Sequence, residues 1–138
     1  MNTAITLKTE SSFYPADNTA AKPKRLVVLL HAYQGGPQQM QAIASVVRRE
    51  LPDADMWVPR LQLSTFSWAN PDQIAQEVVE QITSCDHQAR GYDGITIVGF
   101  SMGATLARKV WALANGARPD GTVGPGIAWG KRVDRIVQ

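Results

Sequence analysis

Ser101 is the residue whose neighbours best equip it to act as a nucleophile. It stands at the centre of Gly99-Phe100-Ser101-Met102-Gly103, after the apolar run Ile95-Thr96-Ile97-Val98 and before a helical segment over 104–114. A strand, a sharp turn carrying serine and a helix make up a nucleophile elbow, which points to acyl transfer by a serine hydrolase. The arrangement answers a physical need. A serine on a tight, strained turn projects its hydroxyl above the sheet, where a base and a substrate can both reach it. Gly99 and Gly103, two residues to either side, let strand and helix backbones approach with no Cβ between them. Met102, opening the helix, would offer its backbone N–H to a developing oxyanion, helped by the positive helix end. The alternative is a buried strand and a glycine-containing loop in which Ser101 caps the helix.

A second stretch agrees with the first. Leu26-Val27-Val28-Leu29-Leu30, flanked by basic and turn residues, has the pattern of a parallel strand buried on both faces. It runs into His31-Ala32-Tyr33-Gln34-Gly35-Gly36-Pro37, a loop with two glycines before a helix. On these two motifs the sequence resembles the α/β-hydrolase fold family, especially lipases and esterases with a His-Gly motif after the third strand. The resemblance spans about residues 24–137 and matches the first part of that family's fold. It implies that the residue after the His-Gly pair, here Tyr33, supplies the other oxyanion-hole N–H. It also implies that His31 supports the loop and is not the general base. Ala32 stands where the family has glycine, so a positive φ would carry a steric cost. Either the loop avoids that angle, or the oxyanion hole is imperfectly shaped. Phe100 replaces a histidine and Ala104 a glycine, which keeps an aromatic and a small residue.

The elements that must position these residues alternate along the chain. Residues 1–23 are polar and mixed, with one short strand expected at 4–7; residues 24–138 read as the N-terminal part of an α/β-hydrolase domain. After the strand at 26–30, Met40, Ile43, Ala44, Val47 and Leu51 recur at helical spacing, and Pro52-Asp53 ends that helix. A strand follows at 55–58. Asn70 then reads as an N-cap with Pro71 at the first helical position and Asp72 in the first turn. Ile74, Val78, Ile82 and Cys85 mark the buried stripe of that helix. The strand at 94–98 leads to the elbow helix, which Asn115-Gly116 ends. A Gly/Pro-rich loop at 119–130 precedes a last strand at 133–137. Such alternation implies a mainly parallel sheet flanked by helices.

Parallel strands put all their C-terminal ends on one edge, where sites of this fold class form. Ser101 and His31 both follow strand C-termini and share that edge. His87 ends a helix running back down, and Asp134 enters its strand, so both belong to the opposite edge. The resemblance implies that the acid and the histidine of the triad come from later strands, beyond Gln138. The chain is thus expected to be a partly complete α/β-hydrolase with its C-terminal strands missing, whether as a gene fragment, a split gene or a remnant. Its last strand would leave an unpaired edge open to aggregation.

Composition narrows the alternatives. Hydrophobic content of 44% and charged content of 19% suit a globular domain. A net charge of +2, with fourteen basic residues scattered along the chain, gives no footprint for nucleic acid. Lys22, Lys24 and Arg25 read as the solvated start of a strand. No apolar run is long enough for a membrane span, and the N-terminus lacks a signal-peptide pattern, so a cytoplasmic protein is expected. Cys85 reads as packing. Metal-ligand spacings, a dinucleotide fingerprint and a phosphate loop are all lacking, and neither a metal nor a cofactor is expected.

The substrate expected is a small-molecule ester. Leu61, Leu63, Phe66 and Trp68, after the 55–58 strand, either line a lipophilic acyl pocket or, as favoured, cover the sheet beneath the next helix; Tyr33 stands beside the oxyanion site. Two functions stay open: a carboxylic-ester hydrolase working through an acyl-enzyme on Ser101, and a non-catalytic hydrolase-like fragment, inert or completed by a partner chain. Thioesterase, amidase and acyltransferase chemistry share the elbow.

Overall fold

A computed structural model describes residues 5–17, 22–32, 35–61 and 70–138. Strand β2 (Arg25–Leu30) shows why its aliphatic run is unbroken. It is the middle strand of the sheet, parallel to β3 (Ala54–Val58) on one side and to β4 (Gly94–Gly99) on the other. Successive side chains point to opposite faces. Leu26, Val28 and Leu30 enter one core and Val27 and Leu29 the other, so no position from 26 to 30 is free to be polar. The sheet has five strands in the order β1-β3-β2-β4-β5. β1 (Ser12–Tyr14) is antiparallel to β3, and β5 (Val133–Val137) is parallel to β4.

Helices cover both faces. α1 (Gln41–Glu50), preceded by a 3-10 turn at Pro37–Met40, lies on one side; Met40 and Ala44 pack there with Val27, Leu29, Met56 and Val58. α2 (Pro71–Gln88) and α3 (Met102–Ala114) cover the other. The expected stripe of Ile74, Val78, Ile82 and Cys85 is buried, opposite Leu106, Ala107 and Val110 of α3. The start of α2 is capped as its residues require: the Asn70 side chain accepts the Asp72 N–H at 2.8 Å, with Pro71 at the first helical position. Burial pushes the Cys85 thiol up to about 11, which suits an inert packing residue.

The expected strand at 4–7 is not where the N-terminal strand forms. Residues 5–7 are irregular, and Ser12–Tyr14 pairs with β3 instead. The reason lies in a side chain from α1. The Gln41 amide donates to the Ile5 carbonyl at 2.6 Å and accepts the Leu7 N–H at 2.7 Å, taking the backbone groups a ladder would use. Leu7 is still buried in the α1-side core, so its apolar pattern reported burial and not pairing.

At the N-terminal edge of the sheet, charged and polar side chains tie the elements together. Arg25 grips Asp134 with two bonds of 2.8 Å, and Arg132 grips Asp86 with two of 2.9 Å. The buried Asp55 carboxylate accepts from the Tyr92 hydroxyl at 2.7 Å and from the Ala16 N–H at 2.8 Å. Asp134 is thus spent on an ion pair at the edge away from Ser101, as its place in the sequence predicts.

Candidate active site

The C-terminal edge is assembled from backbone. β2 and β4 run in register, with Leu30 opposite Gly99, so the chain leaves both strands at the same level. The Phe100 N–H then donates to the Leu30 carbonyl at 3.1 Å and carries the ladder one residue further. The turn that follows is severe. Ser101 has φ 58° and ψ −118°, a positive φ with a ψ outside the left-handed helical well. An L-residue held there costs of order 1–3 kcal/mol and persists only where the surroundings impose it. They do so through the two glycines. A Cβ on Gly99 would lie 2.3 Å from the Gly103 carbonyl oxygen, and one on Gly103 would lie 2.3 Å from the Leu30 oxygen and 2.7 Å from that of His31. Strand, helix start and the end of the neighbouring strand touch through main chain, which only glycine permits.

The alternative in which Ser101 caps α3 does not describe this turn, because its side chain makes no capping hydrogen bond. The hydroxyl is exposed. The Gly103 N–H bonds to the Phe100 carbonyl at 2.9 Å and the Ala104 N–H to the Ser101 carbonyl at 2.9 Å. The N–H of Met102, at the first helical position, has no acceptor among the described residues. This donor, at the positive end of a thirteen-residue helix, stands one residue from Ser101.

His31 lies beside the elbow and is fully buried. Its Nε2 accepts the Leu61 N–H at 2.7 Å, so that nitrogen carries no proton; Nδ1 therefore bears it and donates to the Ala32 carbonyl at 2.8 Å. Burial, reinforced by the positive charge of Arg60, holds the imidazole below its ordinary value of 6.5 against the opposing pull of the Ala32 carbonyl. A neutral ring with both nitrogens engaged is a brace between β2 and the segment after β3. Leu61 is buried in the core with Ile74 and Val78 of α2. It covers the sheet, the favoured reading, and also borders a cavity with Phe13, Arg60 and Gln81; Leu63, Phe66 and Trp68 lie outside the described residues. Tyr33 does too. Ala32 avoids the positive φ that would strain it, since Arg90 and Ser101 are the non-glycine residues with positive φ among those described. Its N–H donates to the Gln39 side chain at 2.9 Å, so Gln39 sets the path of this loop. No spacing signalled Gln39 in the sequence, because its amide reaches back from the following 3-10 turn.

The structure therefore gathers Ser101, Met102, Gly99, Gly103 and His31 at one edge. His87, the other of the chain's two histidines, is exposed in the last turn of α2 at the far end. No cluster of three or more His, Cys, Asp or Glu able to hold a metal occurs among the described residues, and none of their helices is long and apolar enough to cross a membrane.

No protein-family model and no curated protein sequence matches the chain. Solved structures do. Esterase PE8 aligns with a TM-score of 0.63 at 19% identity, over 79% of this chain and 60% of that one. Esterase B from Lactobacillus rhamnosis, in a structure with a tributyrin phosphonate, aligns with a TM-score of 0.58 at 17% identity, over 84% of this chain and 39% of that one. A lipase-esterase related protein from Clostridium acetobutylicum gives 0.51 at 14% identity, over 74% and 40%. The chain spans between 39% and 60% of the length of these proteins. Five mostly parallel strands flanked by three helices, ordered as they are here, make this a partial α/β-hydrolase fold.

Proposed function

We propose that this chain carries the nucleophile and oxyanion-hole half of a serine hydrolase that cleaves carboxylic esters. The observation that supports it most is Ser101 itself, held at φ 58° between two glycines with its hydroxyl exposed and uncapped. In this reading the Ser101 Oγ attacks the ester carbonyl while its proton passes to a base. The Met102 and Tyr33 N–H groups hold the oxyanion of the tetrahedral intermediate, which collapses to expel the alcohol and leave an acyl-serine. Water then hydrolyses that ester, and the serine regains its proton. The fold-level likeness to esterases and lipases goes with this chemistry, and a cytoplasmic setting is part of the proposal.

The base is supplied from outside residues 1–138, together with its acid, by a continuing or a partner chain. His31 is a buried brace and His87 lies at the wrong edge. The same observation favours the second reading, a hydrolase-like piece without turnover of its own. In an unrelated serine protease, loss of the histidine costs about a million-fold in turnover, while oxyanion binding retains ~10³–10⁴ over water. That residue of catalysis makes the test. Fluorophosphonate labelling of the purified chain should be slow, should rise with added imidazole as a surrogate base, and should vanish in Ser101→Ala. A folded chain that shows no Ser101-dependent labelling at any imidazole concentration would leave only the second reading.

A further inference from the structure

We propose that Phe100 and Met102 are the acyl-contacting side chains of this site, and that they select esters of butyryl or longer aliphatic acids over acetyl esters. The inference rests on the reading of Ser101 as the nucleophile. Phe100 is 54% exposed and Met102 43%, so the residues on either side of Ser101 in the chain both present large apolar side chains to solvent. Folding asks for neither. The buried stripe of α3 runs through Gly103, Leu106, Ala107, Val110 and Ala114, which leaves Met102 off it. Phe100 is held in the turn through its backbone N–H and carbonyl, and its ring contributes to neither core. Polar side chains would fit both positions and cost less in water.

Single exposed apolar residues are ordinary on a protein surface, and Val46 or Trp111 needs no explanation. An apolar pair bracketing a strained serine is different, because a substrate carbonyl bound at Ser101 must lay its substituents against one or both of them. Acetyl places only a methyl group next to the reacting carbon. A longer chain reaches across the ring and the thioether, and each methylene it buries strengthens binding by up to about fourfold.

The test separates this contact from the chemistry. The purified chain, labelled with carbon-13 at its methionine methyls, is titrated with acetone and with 2-octanone, ketones that present an acyl carbonyl and cannot be hydrolysed. Met40 and Met56 are fully buried, and the exposed Met102 methyl, told from that of Met1 by its loss in Met102→Leu, is the reporter. Its resonance should move with 2-octanone at a concentration at least about tenfold below that needed for acetone. Ser101→Ala should keep this preference, and Phe100→Asn, a change at an exposed position, should reduce it to less than about threefold. Equal response to the two ketones, no response, or an undiminished preference in Phe100→Asn would overturn the inference. Chain-length preference without any Ser101 labelling would sink the hydrolase reading and leave the apolar recognition standing. Labelling by ethyl and octyl fluorophosphonates at equal rates would do the reverse.

Discussion

The two edges of the sheet are built on opposite rules. At the N-terminal edge, side chains satisfy one another: Arg25 with Asp134, Arg132 with Asp86, Tyr92 with Asp55. At the C-terminal edge the closest contacts are main chain on main chain, around Gly99, Gly103 and the Leu30 carbonyl, while the side chains of Ser101, Phe100 and Met102 stand exposed. One edge holds the elements in place; the other spends that rigidity on a strained turn. The contrast teaches where to look for chemistry in such a domain. Strain and unmet hydrogen-bonding capacity persist only where surrounding structure can impose them, and here it does so at the edge facing outward from the strand ends.

Substitutions can break this contrast, beginning with the largest effect. Gly103→Ala puts a Cβ against two carbonyl oxygens that cannot move without parting β2 from α3. It should cost about 3 kcal/mol or more in urea unfolding; a loss under 1 kcal/mol would mean the elbow is not clamped from below. Next comes His31→Leu, which strands the Leu61 N–H in the core and should cost about 2–3 kcal/mol. At the other edge, Asp86→Asn breaks a two-bond grip on Arg132 whose carboxylate is only 15% exposed, and about 2 kcal/mol should go. Asp134→Asn should cost less than about 1 kcal/mol, because its pair with Arg25 stands in solvent at 51% and 32% exposure.

The edges should also separate by pH. His31 is held below 6.5 by burial, so the unfolded chain takes up its proton first. Stability from this group is complete above 6.5, declines as the pH falls toward the lower folded-state value, and levels off beneath it. Burial pushes the Asp86 carboxyl up, but the hydrogen bonds from Arg132 and the Tyr92 N–H outweigh it and hold the group below its ordinary 3.8. Its contribution is present above 3.8 and is lost only as the pH falls through that lower value. Thermal melts from neutral to acid should show two separate declines. The first should disappear in His31→Gln and the second should shrink in Asp86→Asn; a first decline that persists without His31 would assign it to another group.

The elbow was legible in the sequence because the residues that shape its turn are local, even though the Leu30 and His31 carbonyls clamp it from the next strand. Glycines two residues either side of Ser101, an aliphatic strand before and an amphipathic helix after lie within a short stretch of chain. The Asn70 cap and the buried stripe of α2 were legible for the same reason, since both depend on neighbours up to a few turns away. β1 was misplaced because strand pairing is a contest between distant segments, and the Gln41 amide had already claimed residues 5–7. Leu61 showed its apolar character in the sequence, but which core it would join depended on α2. Asp86 with Arg132 and Asp55 with Tyr92 left no sequence signal, because a polar residue announces no partner some forty positions away, and Gln39 left none because its partner is a loop N–H that any residue would carry.

By itself, then, the amino-acid sequence determined the alternation of strands and helices, the continuous burial of β2 and the presence of a serine on a turn that only flanking glycines allow. Each follows from side-chain size, periodicity and backbone sterics over short distances. Only the tertiary structure decided that the Ser101 side chain does not cap its helix, that His31 is a neutral brace with both nitrogens taken, and that the apolar side chains of Phe100 and Met102 stand exposed. Those outcomes depend on hydrogen-bond partners and neighbours that meet only after β2, β3 and β4 have lined up side by side.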